Sequence, residues 1–129
     1  MSEAAFTSFV KSALRSKSRF WKPLSDTIKE ARTRKGFYLC NGCKEEVPKS
    51  VVIDGKRMNN IFCDHVSPII PPDVGFTTWD SFIENLFCER DNLQILCRAC
   101  DQKKQAVERA IRANNKKEQD DEIEIQPLH

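Results

Sequence analysis

Asp91-Asn92-Leu93-Gln94-Ile95-Leu96-Cys97-Arg98-Ala99-Cys100-Asp101-Gln102-Lys103-Lys104 is the stretch that decides the fold. Its apolar run, Leu93 to Leu96, predicts a short strand leading straight into a CxxC pair. Good helix formers follow from Asp101 to about Asn114, with no Gly or Pro among them. A second CxxC pair, Cys40-Asn41-Gly42-Cys43, lies upstream, and Asp64-His65 stands between the two pairs. Two thiol knuckles therefore bracket one acid–imidazole pair.

Cys40, Cys43, Cys97 and Cys100 together suit a closed tetrahedral zinc site, with Zn–S distances of about 2.3 Å. A closed site leaves no position for water, so this zinc is structural and its binding supplies folding free energy. A rubredoxin-like iron centre is the other metal that four thiolates would take. Gly42 is expected to permit the tight turn between the first two thiols. Cys63 and Cys88 lack knuckle spacing and are expected to be buried free thiols. A disulfide framework for the six cysteines would need a secreted chain. Met1 to Phe20 is interrupted by Lys11, Arg15, Lys17 and Arg19 and does not read as a signal peptide. No apolar run approaches the roughly 18 residues that span a bilayer. The expectation is a reducing cytoplasm (a host's, for a viral protein) and no membrane, a setting where paired thiols hold metal.

The chain has 129 residues, 40% apolar and 31% charged, enough for one lean domain with tails. A core this small needs a staple. The net charge of +2 hides an asymmetry. Residues 1–35 carry nine Lys or Arg against three acids, whereas residues 118–129 carry five acids and no Lys or Arg. Three segments follow: a basic helical arm over residues 1–36, a central domain over 37–114, and an acidic, unstructured tail over 115–129 in which His129 has no evident partner.

Within the arm, Phe6, Phe9, Val10, Ala13 and Leu14 recur as a helical stripe. Pro23 predicts a break near Lys22. Ser25 is the expected cap of a second helix from Asp26 to about Lys35, with Ile28 and Ala31 as its apolar face and Gly36 as its stop. Phe37 to Cys40 reads as a strand entering the first knuckle. Val51 to Ile53 is a strand before the hairpin signal Asp54-Gly55, and a second strand, Ile61 to Val66, carries Asp64 and His65. Pro68, Pro71 and Pro72 forbid regular structure after it. Thr77, with Asp80, is the expected cap of a helix that puts Trp79, Phe82, Ile83, Leu86 and Phe87 on one core-packing face.

A bare Asp-His is a weak signal, but its setting strengthens it. An apolar strand brings Asp64 and His65 to its end, the second knuckle brings Asp101 to a helix start, and Asn92 precedes the strand into that knuckle. Two carboxylates, an imidazole and an amide are expected to meet at a strand–strand–helix junction. Oxygen ligands such as Asp64 and Asp101 suit Mg²⁺ or Mn²⁺.

The order CxxC, then Asp-His, then Asn-Leu-Gln-x-Leu-CxxC, then a polar residue and a Lys resembles the HNH endonucleases. The likeness covers roughly Tyr38 to Lys104, about half the chain. It implies an α+β protein with a small ββα-metal, treble-clef-like core stapled by the four-cysteine zinc, an N-terminal helical arm and a long proline-containing insert. Asp64 matches the family's metal-ligating acid, His65 its general base, and Asn92 the middle Asn that steadies the base-bearing loop. Asp101 falls where the family has a His or Asn ligand, and Lys104 matches a Lys that often follows. The Asp departs from the pattern while remaining a hard anionic ligand.

The implied activity is one-metal hydrolysis of DNA phosphodiester bonds. His65 takes a proton from water, and the cation on Asp64 and Asp101 neutralises the phosphate. Lys104, Arg98, Lys103, Arg15 and Arg19 are the implied nucleic-acid contacts. A single site cuts one strand at a time, so a double-strand cut takes a dimer or two visits. The Ser-Arg-Phe-Trp-Lys-Pro segment of the arm looks like that of phage HNH proteins. That likeness points to DNA packaging, with a terminase or another phage protein as partner. The alternative is a catalytically inactive, zinc-stapled nucleic-acid-binding module.

Overall fold

The computed structural model describes residues 2–125. The expectation for His129 therefore lies outside the described residues. Among the described residues the chain is α+β, with four α-helices and three small antiparallel sheets. At its centre β6 (Ile61–His65) pairs antiparallel with β7 (Leu93–Cys97). The register sets Ile61 against Cys97, Asp64 against Gln94 and His65 against Leu93. Helix α4 (Arg98–Ile125) leaves β7 directly.

The core is small, as the composition requires. Tyr38, Ile61 and Ile95 form one buried cluster, with Ile28, Ala31, Val47 and Cys63 against it. Cys40, Leu96 and Cys97 form another, backed by Val47 and Cys100. β1 (Arg32–Arg34), β2 (Phe37–Leu39) and β3 (Glu46–Pro48) make a three-stranded sheet that carries the first knuckle.

Several expectations are corrected. α1 (Glu3–Ser18) forms as the stripe predicts, capped by Ser2, but it buries no residue, and Phe6 and Phe9 stay exposed. α2 spans Lys22–Ala31, so Ser25 lies inside it and not at its cap. Pro23 sits in the first turn, where its missing N–H is no loss. The helix stops at Ala31 because Arg32 and Arg34 pair with Tyr38 and Phe37. Gly36, at φ +82°, is thus the turn of a hairpin, not a helix stop.

Asp54 and Gly55, both at positive φ, join β4 (Ser50–Ile53) to β5 (Lys56–Asn59). The hairpin partner is therefore β5, which the sequence reading missed, while Ile61–His65 pairs across the long insert with β7. In that insert α3 (Trp79–Leu86) is capped by Thr78 Oγ1, which accepts from Ser81 N at 3.1 Å, and not by Thr77. Phe82 and Leu86 are buried, but Ile83 is exposed because it lies with Asp80, Ser81 and Glu84 on the side of this helix that faces water. α4 starts at Arg98 and runs past Asn114 through 115–125, where an unstructured tail was expected. No Gly or Pro interrupts that stretch, and Asn114 bonds Glu118 one turn on.

Candidate functional site

The four knuckle cysteines converge. Among the described residues, the Sγ atoms of Cys40, Cys43, Cys97 and Cys100 are the one set of three or more ligating atoms that all lie within 4.8 Å of one another. β2 delivers Cys40, β7 delivers Cys97, and the first turn of α4 delivers Cys100. Burial pushes the Cys40 thiol up, but backbone N–H groups of Cys97, Cys43 and Gly42 outweigh it and bring Cys40 down to about 6. Cys100 is pushed up to about 12 by burial and by the other three sulfurs. Four thiols this close cannot all ionise without a cation among them, and a zinc ion fits the set. Gly42 is needed here for space and not for a positive φ. A Cβ there would lie 2.9 Å from both Cβ and Sγ of Cys100. The left-handed residue of this turn is Lys44, at φ 62°.

A cleft of about 890 Å³ opens beside β6, with Asp64, His65 and Asp101 among its lining residues. Asp64 Oδ2 accepts from Gln94 Nε2 at 2.9 Å and pairs with Lys104 Nζ at 3.1 Å. Asp101 is buried, and its Oδ2 accepts from Gln105 Nε2 at 2.9 Å. Burial, and then the charge of Asp64, holds Asp101 above the ordinary carboxylate range. Asp64 and Asp101 thus line the same cleft.

His65 is half-buried, and its Nε2 lies 3.0 Å from Leu86 O. A carbonyl only accepts, so Nε2 carries a proton, and in the neutral ring Nδ1 holds the lone pair. Asn92 grips the chain just beyond His65. Its backbone carbonyl accepts from Val66 N at 2.9 Å, its Oδ1 accepts from Ser67 N at 2.8 Å, and its Nδ2 donates to Ser67 O at 3.4 Å.

The expected nucleic-acid contacts divide. Arg15, over the Phe82 ring at 5.8 Å, lines the cleft. Lys104 lines it too, but its ammonium is spent on His65 O at 2.9 Å, Glu108 Oε1 at 2.8 Å and Asp64. Arg98 donates twice to Asn59 O, at 3.0 and 2.7 Å, and so ties β5 to α4. Arg19 lies over Phe20, and Lys103 is exposed; neither lines the cleft. The sequence reading missed Glu108 and Gln94 as site residues. Glu108 could have been found as the residue four after Lys104, and Gln94 only through the β6–β7 register.

Cys63 and Cys88 are half-buried free thiols. Burial first, and then the charges of Asp64 and Cys88, pushes Cys63 up to about 11; burial also raises Cys88. Among the described residues no helix is long and apolar enough to cross a membrane. No family model, curated protein or solved structure matches this chain.

Proposed function

We propose that this protein is a metal-dependent DNA endonuclease of the HNH type, built on a ββα-metal core formed by β6, β7 and α4. One observation carries the reading. A single cleft holds Asp64, His65 and Asp101, and Lys11, Arg15, Arg109 and Arg112 line the same space. Acids and an imidazole at the floor supply hydrolytic chemistry, and the cations attract a phosphate backbone.

In this reading Nδ1 of His65 takes the proton from the attacking water, while the Nε2–H bond to Leu86 O fixes the ring. Asn92 holds the backbone after His65 at a fixed distance from β7. Asp64 and Asp101 would hold Mg²⁺ or Mn²⁺, which supplies charge neutralisation on the phosphate and the leaving oxygen. Arg15 from α1 and Arg109 with Arg112 from α4 bind phosphates from two elements.

The second reading, a nucleic-acid-binding module without catalysis, is favoured by one observation. The Lys104 ammonium already sits on Asp64. Supercoiled plasmid separates the two. The nuclease nicks it with Mg²⁺ or Mn²⁺ and stops when the metal is chelated, and Arg15→Gln flattens the salt dependence of DNA binding by about one unit of log–log slope. DNA binding without any nicking at either metal would leave the binding module.

A further inference from the structure

A chain of side-chain hydrogen bonds joins the first cysteine knuckle to Asp64 in the lining of the cleft. The Lys44 ammonium donates to Asn41 Oδ1. Asn41 Nδ2 donates to Gln94 Oε1 at 2.7 Å, and Gln94 Nε2 donates to Asp64 Oδ2 at 2.9 Å. An ammonium can only donate and a carboxylate can only accept, so the two ends fix how both amides face. Every donor then points toward Asp64, and each bond polarises the next.

The backbone holds this chain in place at three points. Asn41 N donates to Ile95 O at 2.8 Å, which docks the knuckle on β7. Gln94 stands directly across from Asp64 in the β6–β7 register. Lys44 occupies a left-handed conformation, uncommon for a residue with a side chain, and its N–H closes the turn on Cys40 O at 2.9 Å. Zinc ligation asks nothing of Asn41, Lys44 or Gln94.

We infer that Asn41 and Gln94 are positioning residues that couple the four-cysteine centre to Asp64, so that the cation affinity of the cleft depends on an ordered knuckle. The inference rests on the proposed cation-binding role of Asp64. Asp64 Oδ2 has two partners at once, the Gln94 amide and the Lys104 ammonium. Gln94 holds the carboxylate on the β6–β7 ladder. Without it Lys104 is left as the partner of Oδ2, and the carboxylate is free to rotate with that ammonium and away from a cation. Partners of a ligating carboxylate act on affinity in this way, typically by about ten- to a hundredfold.

The test uses the full chain, with Mn²⁺ as the probe and the electron paramagnetic resonance signal of free Mn²⁺ as the readout. Zinc content is measured alongside. Gln94→Met keeps the length of the side chain and removes both hydrogen bonds. It should keep its zinc and weaken Mn²⁺ binding by about ten- to a hundredfold. Asn41→Ala should weaken binding in the same direction by less, and add nothing in the Gln94→Met background, because it acts through Gln94. It also keeps the test open should Gln94→Met fail to fold. Wild-type Mn²⁺ affinity in zinc-loaded Gln94→Met or Asn41→Ala overturns the inference alone. A wild-type protein that binds no Mn²⁺ overturns the cation-binding reading of the cleft, and the coupling with it.

Discussion

His65→Ala is expected to lower the plasmid-nicking rate by roughly a hundred- to ten-thousandfold, the span for loss of a positioned base. Zinc content, fold and DNA affinity should stay near wild type. The imidazole is half-buried and its one hydrogen bond is to Leu86 O, so removing it leaves the two core clusters intact. Asp101→Ala should also slow cleavage, but by a different route. It removes a hard oxygen ligand, so raising Mg²⁺ or Mn²⁺ should restore part of the rate. His65→Ala should gain little from added metal, because both carboxylates remain. Initial rates against metal concentration for the two variants distinguish base from ligand. Full activity in His65→Ala would remove the catalytic assignment.

The second large effect belongs to the cysteines. Purified protein should hold about one tightly bound zinc per chain, and Cys97→Ser should lose both the metal and cooperative folding. Cys97 is buried, and its N–H donates to Cys40 Sγ at 3.2 Å, so this ligand also sits in one of the two small clusters. With so little apolar burial elsewhere, a metal held by these thiols would supply much of the stability. Elemental analysis and far-UV circular dichroism check both points. A folded protein with neither zinc nor iron would overturn the staple.

Local signals were legible where one stretch of chain specifies its own conformation. The Asp54-Gly55 turn follows from two residues that tolerate positive φ, and β7 from an apolar run ending at a knuckle. Helix ends were less legible, because they depend on neighbours distant in sequence. α2 ends where Arg32 and Arg34 find β2, and the first N–H of α4 is taken by Asn60 O at 3.1 Å. Asn92 was brought near His65 by its position before β7 and given its loop-steadying role by resemblance, and the bonds to Val66 and Ser67 put it beside that loop physically.

The sequence by itself determined which four thiols come together, since two CxxC pairs confine them to two short turns, and four such thiols could hold a tetrahedral cation. It also determined that Asp64 and His65 end one strand and that Asp101 lies at the start of a helix. What each charged side chain does was decided only by the tertiary structure. Lys104 and Arg98 looked like phosphate contacts, but Lys104 is held by Asp64 and Glu108, and Arg98 by Asn59 O. Arg15, from a helix with no buried residue, reaches the cleft instead. A long cation bonds the nearest acceptors in three dimensions, and that geometry is set by the β6–β7 register and the packing of the insert, which no local pattern encodes.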